Sequence, residues 1–222
     1  MSAQRWSALT PALRGPGEVN LDRLLAVMAD SGPASICVAS PPRPLRTLVA
    51  SDPVATAVDA LQLRLGEGPL PAAVAGADVL VVDLAGDDRW PTFGRECVEQ
   101  TGIRSAVSVQ LGELAALSCY SPEPGAFDET ALADLASVAP VVGLAVRVEV
   151  QARELRRLEA ALQSSRQIGA AMGILMATEL LTEDQAFGRL VEASQRLNRK
   201  VRDIAEDVQR TGQLPPAPPR AG

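Results

Sequence analysis

No histidine occurs anywhere in the 222 residues. That removes His-based catalytic triads, histidine metal sites and histidine pH switches together. Aromatic residues make up only 3% of the chain, and there are three cysteines. Cys37, Cys97 and Cys119 stand far apart with no Cys-x-x-Cys pair. An odd, scattered set of thiols, two of them in apolar strand-like runs, fits buried reduced cysteines rather than a disulfide framework. No apolar run reaches the ~18 residues of a membrane-spanning helix, and the N-terminus lacks a signal-peptide pattern. A cytoplasmic protein without a membrane segment is expected. The acidic pair Asp87-Asp88 has no third ligand nearby and reads as a solvated turn. The glycines of GEGP lack phosphate-loop spacing. No nucleophile–base pair can be assembled either, so no catalytic residue, metal site, cofactor or enzymatic activity is expected.

What is present is ample apolar material and an uneven charge. Hydrophobic residues are 47% of the chain, enough for one domain of about 150 residues and a smaller one. The net charge of −6 is not spread evenly. Residues 151–212 hold ten Lys/Arg against nine Asp/Glu, which leaves eleven against eighteen for the rest. A near-neutral module with local basic patches thus accompanies an acidic domain. That balance favours selective recognition over electrostatic adhesion.

The chain order predicts the first domain's class. Residues 1–18 show no sustained period and read as a disordered N-terminal segment. Leu21, Leu24, Leu25 and Met28 predict a helix over 21–29, with Asn20 as its cap. Strands follow at 34–40, 45–52 and 79–85, and a helix opens at Pro53. A further helix is expected near 94–100. SAVSVQL and AALSCYS then read as two strands joined by a tight turn at Gly112 and Glu113. From Phe127 onward helical periodicity takes over. This pattern describes an α+β domain with an antiparallel sheet flanked by helices.

The last third reads as three consecutive helices. Leu155, Leu158, Leu162, Ile168, Leu175 and Met176 keep helical spacing. Thr182 followed by Gln185 forms a capping box for the second helix, whose inward residues are expected to be Ala186, Phe187, Leu190, Val191, Ser194 and Leu197. Asn198 can end that helix and cap the third, which buries Val201, Ile204, Ala205 and Val208 before Gly212 stops it. No Pro or Gly lies between Leu144 and Gly169, so the last helix of the first domain can run straight into this unit. Val148, Leu155, Leu158 and Leu162 fit a heptad seam, interrupted at Gln151. A parallel dimeric coiled coil or a helix packed back on its own chain would both give that pattern. The terminal QLPPAPPRAG, residues 213–222, is a Pro-rich tail with the composition of a disordered segment.

Arg189, Arg196, Arg199, Lys200 and Arg202 crowd the second and third helices, with Gln195 and Asn198 among them. A solvated helix face and a nucleic-acid site both carry such clusters. The residues of IGAAMGILMATELLTEDQAFGRLVEASQRLNRKVRDIAEDV resemble the ANTAR domain, an RNA-binding module of transcription antiterminators. Met172 stands where lysine is frequent in that family. SDPVATAVDALQLRLGEGP, VVDLAGDDRWPTF, TGIRSAVSVQL and LSCYSPEPGAFDE resemble a GAF domain, as found in bacterial GAF–ANTAR regulators. Leu70 replaces a cysteine frequent among those relatives.

These resemblances imply a GAF-like sensor over 19–146, a helical coiled-coil linker over 147–166 and an ANTAR three-helix bundle over 155–212. They imply a homodimer that binds paired stem-loops in leader RNA so that a terminator hairpin does not form. The GAF-like domain is then free to take an unidentified small molecule. Gln195 and Asn198 are the candidate base contacts, with Arg166, Arg196, Arg199, Lys200 and Arg202 on phosphates. Ala171 and Gly173 are expected to keep the first helix flat where RNA or a neighbouring helix approaches. A ligand-sensing or scaffold dimer acting through protein partners, and DNA binding by the bundle, are the other functions considered.

Overall fold

The computed structural model describes residues 21–29, 32–40 and 43–216. The expected loose segment 1–18, the Asn20 cap and residues 217–222 of the tail lie outside them. The chain forms two compact units, residues 1–150 and 151–222.

In the first unit, five strands make one antiparallel sheet in the order β2-β1-β5-β4-β3. They are β1 (Ala34–Ser40), β2 (Arg43–Ala50), β3 (Val79–Val81), β4 (Ser105–Gln110) and β5 (Ala115–Ser121). Alternation along each strand sends residues to two covered faces. Ala34, Ile36, Val38, Val107, Val109, Leu117 and Cys119 pack with helix α1 (Leu21–Ala29) and with the start of a long helix, α5 (Glu129–Glu179). From the other face Ala106 and Tyr120 meet α2 (Pro53–Leu65) and α4 (Pro91–Thr101), while Cys37 and Ala116 meet α3 (Pro69–Val74). Because both faces are covered, the strands read as nearly continuous apolar runs. The α+β class expected from the sequence is the class found.

Local chemistry sets these elements. Asp52 caps α2 by accepting from the Val54 and Ala55 amides at 2.7 and 3.1 Å, Pro53 opens the helix, and Gly66 closes it in the left-handed region. Gly94 is required where α4 crosses the turn below it: a Cβ there would lie 2.3 Å from the Leu84 carbonyl oxygen. One expectation needs correction. The third strand ends at Val81 rather than at 85, because Asp83 accepts from the Ala85 amide and bends the chain into a 3-10 turn, Leu84–Gly86. Pro69, directly after the GEGP glycines, starts the short helix α3.

All three cysteines are free and buried. Burial pushes the Cys119 thiol up to about 12. Cys37 is raised further by burial and by the neighbouring Asp59.

Among the described residues one helix is long and apolar enough, by length and composition, to cross a membrane, which the count of unbroken apolar residues missed. The apolar stretch is the first part of α5, where only Asp134 and Arg147 are charged between 131 and 148. A few charges break the run without lowering its average. Ala131, Leu135, Ala139, Val142, Ala145 and Val146 from this part of α5 are packed into the sheet's core, as in a core helix.

The second unit joins the end of α5 to α6 (Glu183–Leu197) and α7 (Val201–Thr211). The capping box forms as expected: the Gln185 amide donates to Thr182 Oγ1 at 3.4 Å, and the Thr182 amide donates to Gln185 Oε1 at 2.9 Å. Asn198 ends α6 in the left-handed region at φ 50°, and Gly212 ends α7 at φ 76°. Asn198 does not also cap α7. That position belongs to Lys200, whose side chain makes no capping bond. The small core is Ala171, Leu175, Ala186, Leu190, Ala193, Ile204, Ala205 and Val208.

Candidate nucleic-acid interface

Three residues separate α6 from α7, and the turn they form is tied by the backbone. The Arg199 amide donates to the Ser194 carbonyl at 3.1 Å, and the Ser194 hydroxyl donates back to the Arg199 carbonyl. This clasp holds Asn198, Arg199 and Lys200 outward, with Gln195 in the last turn of α6 and Arg202 in the first turn of α7. The side chains of Gln195, Asn198 and Lys200 are exposed and have no polar partner among the described residues. Arg202 makes one contact, from Nε to Asp203 at 3.4 Å, and half its side chain is open to solvent.

Arg199 is engaged differently. Its guanidinium donates to Asp207 at 2.6 Å and to the Asp203 carbonyl at 3.3 Å. Arg199, and then Arg210, hold the Asp207 carboxyl below the usual carboxylate range. Arg199 therefore anchors the turn onto α7, and only part of its charge faces outward. Reversing it would also repel Asp207, so Lys200 is the cleaner probe of a phosphate contact.

The remaining expected residues are dispersed. Arg196 lies seven positions from Arg189 on the opposite flank of α6; it reaches the Pro215 carbonyl at 3.4 Å, while Arg189 pairs with Glu179 at 3.0 Å. Arg166 is exposed on the side of α5 away from the bundle core. Ala171 is fully buried in that core, so helix packing explains it and direct RNA contact does not. Gly173 faces open space, where a Cβ would meet nothing within 4 Å. Of the nine residues first considered for RNA, the structure brings together Gln195, Asn198, Arg199, Lys200 and Arg202.

The heptad residues also have a definite place. Leu155, Leu158 and Leu162 are 61%, 53% and 60% exposed, and Val148 is exposed as well. Helical spacing groups Leu155, Leu158 and Leu162 with Ile168, Leu175 and Met176, but only Ile168 and Leu175 of these turn toward the bundle core. The outward side of α5 continues through Gly169, Gly173 and Met176, and Leu180 just past the helix end is exposed as well. Phe187 corrects the sequence reading too. It was assigned inward, yet the buried row of α6 is Ala186, Leu190 and Ala193.

Sequence reasoning missed a polar cluster inside the first unit. Asp59 of α2 is fully buried. One carboxylate oxygen accepts from Tyr120 at 2.7 Å and Ser35 at 2.9 Å; the other accepts from Thr47 at 2.8 Å and Cys37 at 3.2 Å. Gln62 extends the network, donating to Tyr120 Oη at 3.0 Å and accepting from the Leu70 amide at 2.8 Å. Burial raises the Asp59 pKa against the pull of those four donors. No periodicity marks such an aspartate, because its partners come from three strands distant in sequence. On the outer edge an open groove of about 600 Å³ runs along Thr47–Ala50, Asp52, Pro53 and Thr56.

Residues 156–208 match the ANTAR domain, and the chain carries that domain in its second unit. No curated protein matched the chain. Among solved structures, the GAF domain of Acinetobacter phosphoenolpyruvate-protein phosphotransferase is similar at 13% identity and a TM-score of 0.49, covering 69% of this chain and 99% of that one. The GAF3 domain of a Synechocystis protein is similar at 16% identity and a TM-score of 0.42, covering 70% and 97%. Free methionine-R-sulfoxide reductase from Neisseria meningitidis is similar at 18% identity and a TM-score of 0.43, covering 67% and 87%. At these scores the three likenesses carry no argument about activity. The expected order, an α+β domain followed by an ANTAR domain, is the order found.

Proposed function

We propose that this regulator is a cytoplasmic transcription antiterminator that binds paired stem-loops in leader RNA as a homodimer. The observation that carries the reading is the ANTAR domain itself, whose Gln195 at the end of α6 and Asn198 and Lys200 in the α6–α7 turn have no polar partner among the described residues. Amides read the edges of unpaired bases, and cations neutralise phosphates. The exposed Leu155, Leu158 and Leu162 support dimerisation, since apolar residues at heptad spacing are completed by an identical helix. Two bundles on one RNA supply by avidity what a near-neutral single bundle lacks. The protein acts by binding, not catalysis, and the GAF-like unit sets the signal. A small molecule in that unit is a second element of the reading, supported by the groove beside β2.

The test is binding of the full chain to a two-stem-loop RNA across a salt series, beside a single-loop control. Binding that needs both loops and falls with a log–log slope of roughly −0.7 per neutralised phosphate is the expected result. Equal affinity for both RNAs would remove the dimeric mode. Absence of binding, with protein partners recovered instead, would favour a scaffold.

A further inference from the structure

Phe187 is the single aromatic residue between 151 and 222, and it is left 46% exposed on a helix whose buried row is otherwise small. Its side of α6 is shared with Val191, Ser194 and Gln195, four, seven and eight positions on, and leads to Asn198 just past the helix end. Val191 is half-buried and forms an apolar floor between the ring and the amides. Gln195 and Asn198 offer exposed side-chain donors and acceptors with no partner among the described residues. Around the turn, Lys200 adds a positive charge. The cations of the opposite flank, Arg189 and Arg196, are instead turned to protein partners.

We propose that Phe187 stacks an unpaired RNA loop base, and that Gln195 and Asn198 read the edges of the bases that follow. This rests on the RNA-binding reading given above and deepens it. The composition of the face argues for nucleic acid rather than a second copy of the chain. Two free amides beside the ring would be stranded under an apolar helix, whereas bases offer both a π-face and hydrogen-bonding edges. The row from Phe187 to Asn198 spans about 16 Å of helix axis, which suits a short run of splayed bases better than one. The apolar seam for a second copy lies on a different helix, α5.

The experiment uses the full chain and a two-stem-loop RNA carrying 2-aminopurine at loop positions. Affinity, salt slope and 2-aminopurine fluorescence are read together, and thermal melting checks each variant's fold. Phe187→Ala and Phe187→Leu are both expected to weaken binding roughly ten-fold or more, the effect of losing one base–aromatic stack. Phe187→Tyr and Phe187→Trp should retain it. The wild type should quench one loop position that the leucine variant leaves bright, and the salt slope should not change because no phosphate contact is lost. Wild-type affinity in Phe187→Leu would overturn the stack, since leucine keeps the apolar contact and the fold but not the π-face. RNA binding by the wild type with that outcome retires Phe187 alone. Failure of the wild type to bind retires the RNA reading, and this proposal with it.

Discussion

The interior of the α+β unit includes the Asp59 carboxyl, Gln62 and five serines, and the hydroxyls of Ser35, Thr47 and Tyr120 converge on the two carboxyl oxygens. The ANTAR unit keeps no polar residue fully buried among those described, yet it leaves Leu155, Leu158, Leu162, Met176, Leu180 and Phe187 at the surface. One unit has satisfied its difficult groups inside itself, while the other presents incomplete surfaces. Half of the eight fully buried residues in the helical core are alanines, so that core is small even for its length. The contrast teaches where to look for partners: outside the bundle, and not in its interior.

The largest expected effect tests whether the small core is as thin as it looks. Leu190→Ala removes a fully buried side chain and should cost about 2–5 kcal/mol, enough to unfold the bundle while the α+β unit persists. Two separate calorimetric transitions in the variant, with only one displaced, would bear out that independence; a single shared transition would break the comparison. Next, serine at Leu155, Leu158 and Leu162 together should convert a sedimenting dimer to monomer with little loss of helix signal. An unchanged sedimentation coefficient would mean that the exposed stripe faces no second copy.

The third effect is on pH dependence and belongs to the α+β unit. Burial raises the folded-state pKa of Asp59 above its unfolded value, so the folded chain holds this proton more tightly. Its contribution to stability is fully present below the unfolded pKa and is lost as pH rises through the folded one. Asp83, Asp87 and Asp207 are shifted down and act with the opposite sign. The measurement is therefore the difference in melting temperature between the wild type and Asp59→Asn across that pH range. The difference should change in the variant's favour with rising pH, and a flat difference would contradict the assignment. The smallest effect concerns Gly173. Alanine there meets open space and should stabilise the isolated helix by about 0.5–1 kcal/mol. Weakened RNA binding or dimerisation in the same variant would show that another backbone comes close at this point.

Much of this arrangement was legible because local signals agreed with the final packing. Thr182 and Gln185 wrote one helix start, Asn198 and Gly212 wrote two helix ends, and the paired strands around Gly112 kept their apolar character. What escaped reading depends on choice between faces. Phe187 was placed inward because aromatics usually are, but Ala186 one position earlier takes the buried place and turns the ring aside. Leu155, Leu158 and Leu162 were merged with Ile168 and Leu175 because all keep helical spacing, although α5 presents them on opposite sides. Arg199 looked like a free cation, since an ion pair eight residues away with Asp207 has no local signature. The aspartate network needed the register of β1, β2 and β5 before its members could meet.

The distribution of the three thiols supplies a built-in clock. Cys37, Cys97 and Cys119 all belong to the α+β unit, all are buried, and burial disfavours the reactive thiolate of each. A thiol reagent can modify them only as fast as that unit opens, and it is blind to every excursion of the helical bundle. Labelling rate therefore times the opening of one half of the chain alone, without a single residue being substituted.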